Sequence, residues 1–177
     1  IARHAGDGRI DSRFQPRGVA RLRQGRDGEE LDLGRTTQQR TRVPPRLVVI
    51  GAVHVAQALA PMARALGYDM VIVDPRAAFA TQERLGDVRI VRDWPDEALA
   101  ALGLDEATAV VVLSHDAKID DPALIAALAS NAFYVGALGS RKTHAGRIER
   151  LKHVTDADLA RIHAPIGLDI GALGAAE

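Results

Sequence analysis

The chain has 177 residues, its 23 basic and 23 acidic side chains give a formal net charge of zero, and it contains no cysteine. This length suits one domain with a sizeable core, and the lack of cysteine excludes disulfides, thiolate metal sites and a cysteine nucleophile. No apolar run reaches the roughly 18 residues of a membrane span, and the arginine-rich start has no signal-peptide core, so we expect a cytoplasmic protein.

The first segment, residues 1–44, is predicted to be an irregular basic arm. Up to Arg46 the chain has 11 basic and 6 acidic residues, whereas from Leu47 onward it has 12 and 17. Glycines recur through the arm, and neither helical nor strand periodicity is present. Phe14 is its one aromatic residue, so a solvated tail or a tail docked on a partner protein fits better than a nucleic-acid-binding arm.

Residues 45–177 are predicted to form an α/β domain, a Rossmann-like doubly wound parallel sheet. Apolar strands alternate with segments of helical spacing, and runs such as Ala-Val-Val-Val-Leu at 109–113 are typical of strands buried on both faces. The predicted strands are 47–50, 70–73, 88–91, 109–113 and 133–138, and the predicted helices are 55–66, 96–102, 122–129 and 141–151. In such a sheet the ligand lies beyond the carboxyl ends of the strands, so the residues after each strand are the candidate site.

After the first strand comes a glycine turn, Gly51-Ala52-Val53-His54. Gly51 permits a sharp turn into a helix whose free N–H groups would face an anionic ligand. Val53 stands where dinucleotide-binding turns have a second glycine, and its branched side chain would narrow the approach of a pyrophosphate. The alternative is an ordinary strand-turn-helix that holds no ligand.

After the second strand comes Asp74-Pro75-Arg76. Asp74 lies about twenty residues beyond the glycine turn, where a ribose-binding carboxylate is expected, and Arg76 could take a phosphate. The alternative is that Asp74 caps the following turn and Arg76 is solvated.

After the fourth strand, Ser114, His115 and Asp116 place polar groups behind five apolar residues. His115 can donate, accept or bind a metal through one nitrogen while Asp116 holds the other. A purely structural histidine fits nearly as well. No second histidine or carboxylate lies at metal-ligand spacing, so no permanent zinc site is expected.

After the fifth strand, Gly136 and Gly139 free a turn, Ser140 can cap the next helix, and Arg141 and Lys142 lie in its first turn. Cations are disfavoured at a helix N-terminus, so their presence indicates a phosphate ligand or an acidic partner. The alternative is that both side chains point into solvent. The apolar, Pro- and Gly-rich segment 162–172 is predicted to be a loop that folds over the strand ends as a lid.

Six motifs together closely resemble the Rossmann-like half of the XdhC/CoxI family. They are GAVHVAQAL at 51–59, DPRAAFAT at 74–81, LSHD at 113–116, DDPAL at 120–124, FYVGALGSRKTH at 133–144 and HAPIGLDIGA at 163–172. The resemblance covers about residues 45–172. Full-length members often carry a further N-terminal domain with a cysteine-containing motif, which the residues before Pro44 do not resemble, so we expect a shortened or divergent representative.

The resemblance implies a maturation factor that binds molybdenum cofactor, shelters it during sulfuration and delivers it to an apo molybdenum hydroxylase such as xanthine dehydrogenase or carbon monoxide dehydrogenase. A cysteine desulfurase would be a second partner, and a homodimer stays open. Positions 139–142 would hold the phosphate of molybdopterin, in its simple or dinucleotide form, and positions 51–54 and 74–76 would line the cleft. His115 and the loop 165–171 would approach the pterin or the metal end of the cofactor. The alternative function is an NAD(P)-dependent oxidoreductase, which the fold and Asp74 favour.

Overall fold

The computed structural model describes residues 44–168, which form alternating strands and helices. The strands are β1 (Arg46–Ile50), β2 (Asp69–Val73), β3 (Arg89–Val91), β4 (Thr108–Val112), β5 (Tyr134–Ala137) and β6 (Ile162–His163). The helices are α1 (His54–Ala65), α2 (Gln82–Leu85), α3 (Pro95–Leu102), α4 (Ala117–Leu128) and α5 (Arg141–Leu151), and a 3₁₀ turn at Leu159–Arg161 leads into β6. The basic arm predicted at 1–44 lies outside the described residues, apart from Pro44.

The six strands form one parallel sheet in the order β3-β2-β1-β4-β5-β6. This order confirms the predicted doubly wound sheet, because the chain builds outward from β1 first on one side and then on the other. β1 pairs with both β2 and β4, so that Ile50 lies in register with Val73 and with Val112. The direction of winding changes between β1 and β4, which places a crevice above their carboxyl ends.

The core lies on both faces of the sheet. Successive side chains along each strand point to opposite faces of the sheet, as the pleat requires. One face, with Val48 and Val110, is covered by α3, α4 and α5, and the other, with Val49 and Ile72, is covered by α1 and α2. These strand residues are almost fully buried, which explains why the strands are apolar on both faces.

Helix α4 begins five residues earlier than predicted. Asp116 caps it by accepting a hydrogen bond from the Lys118 N–H at 3.0 Å, and Pro122 lies inside the helix instead of beginning it. The proline removes one main-chain donor from the helix, a loss that the burial of the following apolar residues offsets. The short helix α2 was not predicted, because its four residues carry no periodic pattern.

The segment predicted as a lid over the strand ends begins instead as part of the sheet. Ile162–His163 forms β6 and pairs with β5, and Ile166 then packs against β5 over Gly136. The guanidinium of Arg161 anchors this edge by donating to the carbonyls of Leu128, Ser130 and Ala132 at 2.6, 3.3 and 2.8 Å. The rest of the predicted lid, from residue 169, lies outside the described part.

Within residues 44–168, no helix is long and apolar enough to cross a membrane.

Candidate functional site

The structure brings the turns after β1 and β4 into direct contact at the crevice. Gly51 has a φ of +106°, and a Cβ added there would lie 2.9 Å from the Ser114 backbone nitrogen. Gly51 is therefore required twice, by its backbone conformation and by its close approach to β4. The predicted glycine turn and the predicted polar turn form one wall of the same crevice.

Asp74 joins this wall to the end of β2. Its fully buried carboxylate accepts from the Ala52 N–H at 2.8 Å, from the Arg76 N–H at 3.0 Å, and from Arg76 Nε and Nη2 at 2.9 and 2.8 Å. Burial raises the pKa of Asp74, but the hydrogen bonds from Arg76 and Ala52 outweigh it, and the pKa lies below its ordinary value. Both carboxylate oxygens are thus engaged by the chain itself, and contact of Asp74 with a ligand stays a prediction.

Arg76 is the cation at the mouth of the crevice. Its side chain is 31% exposed, and its guanidinium lies 4.6 Å from the centroid of the Phe79 ring. The hydrogen bond to Asp74 raises the pKa of Arg76, and the charges of Asp74, Asp116 and Asp120 raise it further. Arg76 is therefore held in a fixed position between the ends of β2 and β4, with part of its charged group open to solvent.

Helix α1 begins without a side-chain cap. Val53 occupies the N-cap position with extended backbone, and the first turn contains no acidic residue. The Ala52 N–H is already used by Asp74, and the Ala56 N–H donates to the Val53 carbonyl at 3.0 Å. The N–H groups of the exposed His54 and of Val55 have no partner among the described residues. The partial positive charge of this helix start is therefore left to a ligand or to water.

The turn after β4 holds His115 in a strained conformation. His115 is exposed and has a φ of +62°, the one positive φ among the non-glycine residues that the structure describes. The structure has no hydrogen bond between the His115 ring and Asp116, whose Oδ1 atom caps α4, so the predicted support of the ring by Asp116 stays a prediction. Strain of this kind persists only where the surrounding structure imposes it, and it is concentrated at functional sites.

Beneath this turn lies a buried charged pair that we did not predict from the sequence. Ser114 Oγ donates to Asp120, and Asp120 Oδ2 lies 3.6 Å from Arg147 Nη2, which also donates to the Leu138 carbonyl at 3.1 Å. Burial raises the pKa of Asp120, and the hydrogen bond from Ser114 and the charge of Arg147 only partly offset this rise. The pair links the turn after β4 to the turn after β5.

The turn after β5 leads into α5. Gly139 has a φ of +137°, and Ser140 Oγ accepts from the Thr143 N–H at 3.1 Å, which confirms Ser140 as the helix cap. Arg141 and Lys142 are both exposed, and neither side chain makes a hydrogen bond or an ion pair with another described residue. Exposure of both side chains agrees with the alternative, in which they point into solvent, as well as with contact to a ligand, and their role in phosphate binding stays a prediction.

Gly136 lies inside β5, one step away from the crevice. A Cβ at this position would lie 2.5 Å from the Ile166 side chain and 2.7 Å from that of Tyr134. Its small size therefore makes room for the packing of Ile166.

Within residues 44–168 no group of three or more His, Asp or Glu side chains is placed to hold a metal ion.

Comparison with known proteins gives a consistent set of matches. The family model described as the XdhC Rossmann domain matches residues 47–177. The molybdenum cofactor insertion chaperone PaoD of Escherichia coli K12 is 34% identical over 125 residues, which cover 70% of this chain and 33% of PaoD. A protein of Bacillus subtilis strain 168, named as a probable subunit of xanthine dehydrogenase, is 29% identical over 143 residues, which cover 78% of this chain and 41% of that protein.

A solved structure shares the fold. A crystal structure of a xanthine dehydrogenase from Bacillus halodurans matches with a TM-score of 0.65 and 26% sequence identity, over 76% of this chain and 39% of that chain. This chain therefore spans 33% to 41% of the length of these relatives.

Proposed function

The chain belongs to the XdhC Rossmann domain family, and on this premise we propose that it binds molybdenum cofactor as cargo and passes it to an apo molybdenum hydroxylase. The most direct functional support is the name of PaoD, a molybdenum cofactor insertion chaperone. Binding and transfer, without turnover, is the activity that we expect. The specific hydroxylase, of the xanthine or carbon monoxide dehydrogenase type, belongs to this proposal as the receiving partner.

One observation carries the proposal: two helix starts and a fixed cation lie at the carboxyl ends of the same parallel sheet. Helix α1 has no side-chain cap, α5 begins with the exposed Arg141 and Lys142, and Arg76 lies at the mouth of the crevice. Molybdopterin carries a phosphate and a polar ring system. N–H groups at helix starts and nearby cations suit the phosphate.

The ring system would lie closer to the turn after β4. His115 is exposed there, beside the buried Ser114. Its imidazole can donate or accept a hydrogen bond to a heterocycle. The family resemblance suggests a cysteine desulfurase as a second partner, which would supply the sulfur for cofactor sulfuration.

The nicotinamide alternative has less support. Val53 stands where backbone must approach a pyrophosphate closely, and the Ala52 N–H that such a ligand would use is already bound to Asp74. The same features count against tight binding of a dinucleotide form of the cargo by the α1 turn. We expect no saturable quenching when NADH or NADPH is titrated against the chain, and a micromolar dissociation constant would reverse this preference.

The test of the proposed function is cofactor retention. Purified chain is mixed anaerobically with molybdopterin, passed through a gel-filtration column and assayed for pterin fluorescence after oxidation. We expect the parent chain to retain pterin and the double variant Arg141→Ala, Lys142→Ala to release it.

The matched control is the double variant Arg64→Ala, Lys152→Ala. It removes two positive charges from the carboxyl ends of α1 and α5, where Arg64 and Lys152 each contact one exposed carboxylate. Retention by this control and loss by the first variant support the phosphate assignment. Equal retention by both variants contradicts that assignment, and no retention by the parent contradicts the proposed function.

A further inference from the structure

We propose that Arg147 is the inner cation of an oxyanion site at the start of α5, and that Asp120 reduces the positive charge which that site presents. The inference rests on the proposed function in one respect, because the oxyanion would be the phosphate of the cargo. It names two residues that lie behind the exposed cations Arg141 and Lys142.

Arg147 is a buried charge with incomplete partners. Its side chain is 2% exposed, and among residues 44–168 no atom accepts a hydrogen bond from its Nε or its Nη1. Its one hydrogen bond to another described residue goes from Nη2 to the Leu138 carbonyl. Buried polar groups are almost always satisfied, so two unmatched donors on one guanidinium indicate an ion, a ligand group or a water that completes them.

The position of the guanidinium points to the start of α5. Leu138, whose carbonyl it binds, directly precedes Gly139 and the cap Ser140. A helical arginine side chain extends back toward the N-terminus of its helix, which places the charge of Arg147 beside the first turn of α5. His144, one helical turn earlier, also has a buried Nδ1 without a partner among the described residues. Burial lowers the pKa of its ring, and the charge of Arg147 lowers it further.

The charge of Arg147 is only partly neutralised. The shortest distance between the two charged groups is 3.6 Å, from Asp120 Oδ2 to Arg147 Nη2, which is too long for a hydrogen bond, while Asp120 Oδ1 accepts from Ser114. A buried arginine and carboxylate that stabilise each other fully form two short parallel hydrogen bonds, the geometry that Arg150 and Asp121 adopt on the same two helices at 2.8 and 3.1 Å. The remaining positive field therefore favours an anion at the α5 start.

The amides at the start of α5 provide the other half of the site. Ser140 caps the Thr143 N–H. The N–H groups of the first turn point out of the N-terminal end of α5, which is also the positive end of the helix dipole. An oxyanion there would accept hydrogen bonds directly from the main-chain N–H groups. It would also be attracted by the charge of Arg147, which the protein interior screens poorly. A phosphate ester is the class of ligand with the charge and the acceptor atoms to use both.

The test titrates inorganic phosphate into the ¹⁵N-labelled full chain at about pH 8 and follows the amide signals of residues 139–143. We expect saturable shifts in the parent chain, about tenfold weaker binding in Arg147→Gln, and binding close to the parent in Arg147→Lys. Asp120→Asn, which keeps the shape of the side chain and removes its charge, should strengthen binding several-fold. Arg150→Gln, which breaks the exposed pair on the same helix, is the control and should bind like the parent.

The opposite signs separate a binding role from a structural one. A merely structural pair would make both Arg147→Gln and Asp120→Asn less stable and change phosphate affinity in the same direction, which would overturn the inference. If Arg147→Gln does not fold, Asp120→Asn alone decides, because unchanged or weakened binding contradicts the proposal. Two further outcomes separate this inference from the proposed function. If Arg147→Gln weakens and Asp120→Asn strengthens phosphate binding, but the parent chain does not retain molybdopterin, only the proposed function is contradicted. If the parent chain retains molybdopterin but the two variants do not change phosphate binding in opposite directions, only the inference is contradicted.

Discussion

At the scale of single residues, Asp74 shows how one carboxylate organises the crevice. Its sequence position is that of a ribose-binding acid, yet in the structure it receives hydrogen bonds from the glycine turn and from Arg76. It thereby fixes the start of α1 relative to β2 and holds the Arg76 guanidinium in place. Its contact with a ligand stays a prediction, but its part in ordering the glycine turn and Arg76 is visible in the structure.

The charge of Asp74 should therefore stabilise the fold. Because its pKa in the folded chain lies below the ordinary value of about 3.9, this contribution is present at neutral pH and is lost as the pH falls through the folded pKa. We expect Asp74→Asn to lower the free energy of unfolding by about 3 kcal/mol near pH 7, and we expect this difference to shrink in acid. Urea denaturation at a series of pH values measures both effects.

The control for this prediction is Asp87→Asn. The Asp87 side chain is 93% exposed and contacts Arg64 at 3.8 Å, so its removal should change stability by less than about 0.5 kcal/mol at any pH. A pH-independent loss in Asp74→Asn would show that shape, and not charge, makes the contribution.

At the scale of elements, the sequence identifies those whose pattern is local. The apolar runs that become β1, β2 and β4 are recognisable because buried parallel strands need no alternation, and α5 follows its predicted bounds because Ser140 is a local cap. Strand β6 escapes prediction because two residues carry no pattern, and only pairing with β5 makes them a strand. The first turn of α4 escapes because Pro122 suggests a helix start.

The candidate site divides in the same way. Residues that directly follow strands, such as Arg76 and His115, can be found by position alone, because parallel strands end at one edge. Asp120 and Arg147 lie within helices, and both become buried only when α4 and α5 pack together. The sequence gives only a weak indication of their burial, because each is a charged residue on the face of its helix that carries the buried apolar residues.

The contact of two elements at Gly51 gives a second prediction. Gly51→Ala should lower the free energy of unfolding by about 2 to 4 kcal/mol, because the new methyl group would both strain the backbone and press on Ser114. Gly67→Ala is the matched control: its φ is +77°, but nothing lies within 4 Å of the added Cβ, so it should cost about 1 kcal/mol. Chemical denaturation of both variants isolates the clash, and equal losses would contradict it.

At the scale of the whole described domain, the β6 edge of the sheet depends on Arg161. Its guanidinium is the main polar tie between the α4–β5 connection and the chain that enters β6. At the opposite edge, Arg92 plays a comparable part by donating twice to the Ala80 carbonyl. At each edge of the sheet, an arginine thus binds backbone carbonyls of a neighbouring segment.

The third prediction concerns this tie. Arg161→Met should leave three backbone carbonyls without their donor, lower the free energy of unfolding by about 1 to 3 kcal/mol, and speed amide hydrogen exchange at β6 and at Ile166. Arg92→Met is the control, since it should speed exchange near Ala80 and leave β6 unchanged. Uniform acceleration over the whole sheet in Arg161→Met would show global destabilisation instead of local opening.

The central place of β1 has a consequence for how the molecule is made. β1 leaves the ribosome before every other strand of the described domain, and β2 follows it soon, but the edge of β1 that pairs with β4 stays open until Thr108–Val112 has been synthesised. During that interval the nascent chain displays an apolar strand with unpaired N–H and C=O groups, which is a template for pairing with other chains. The strand that later supports the crevice therefore needs protection from other chains during translation.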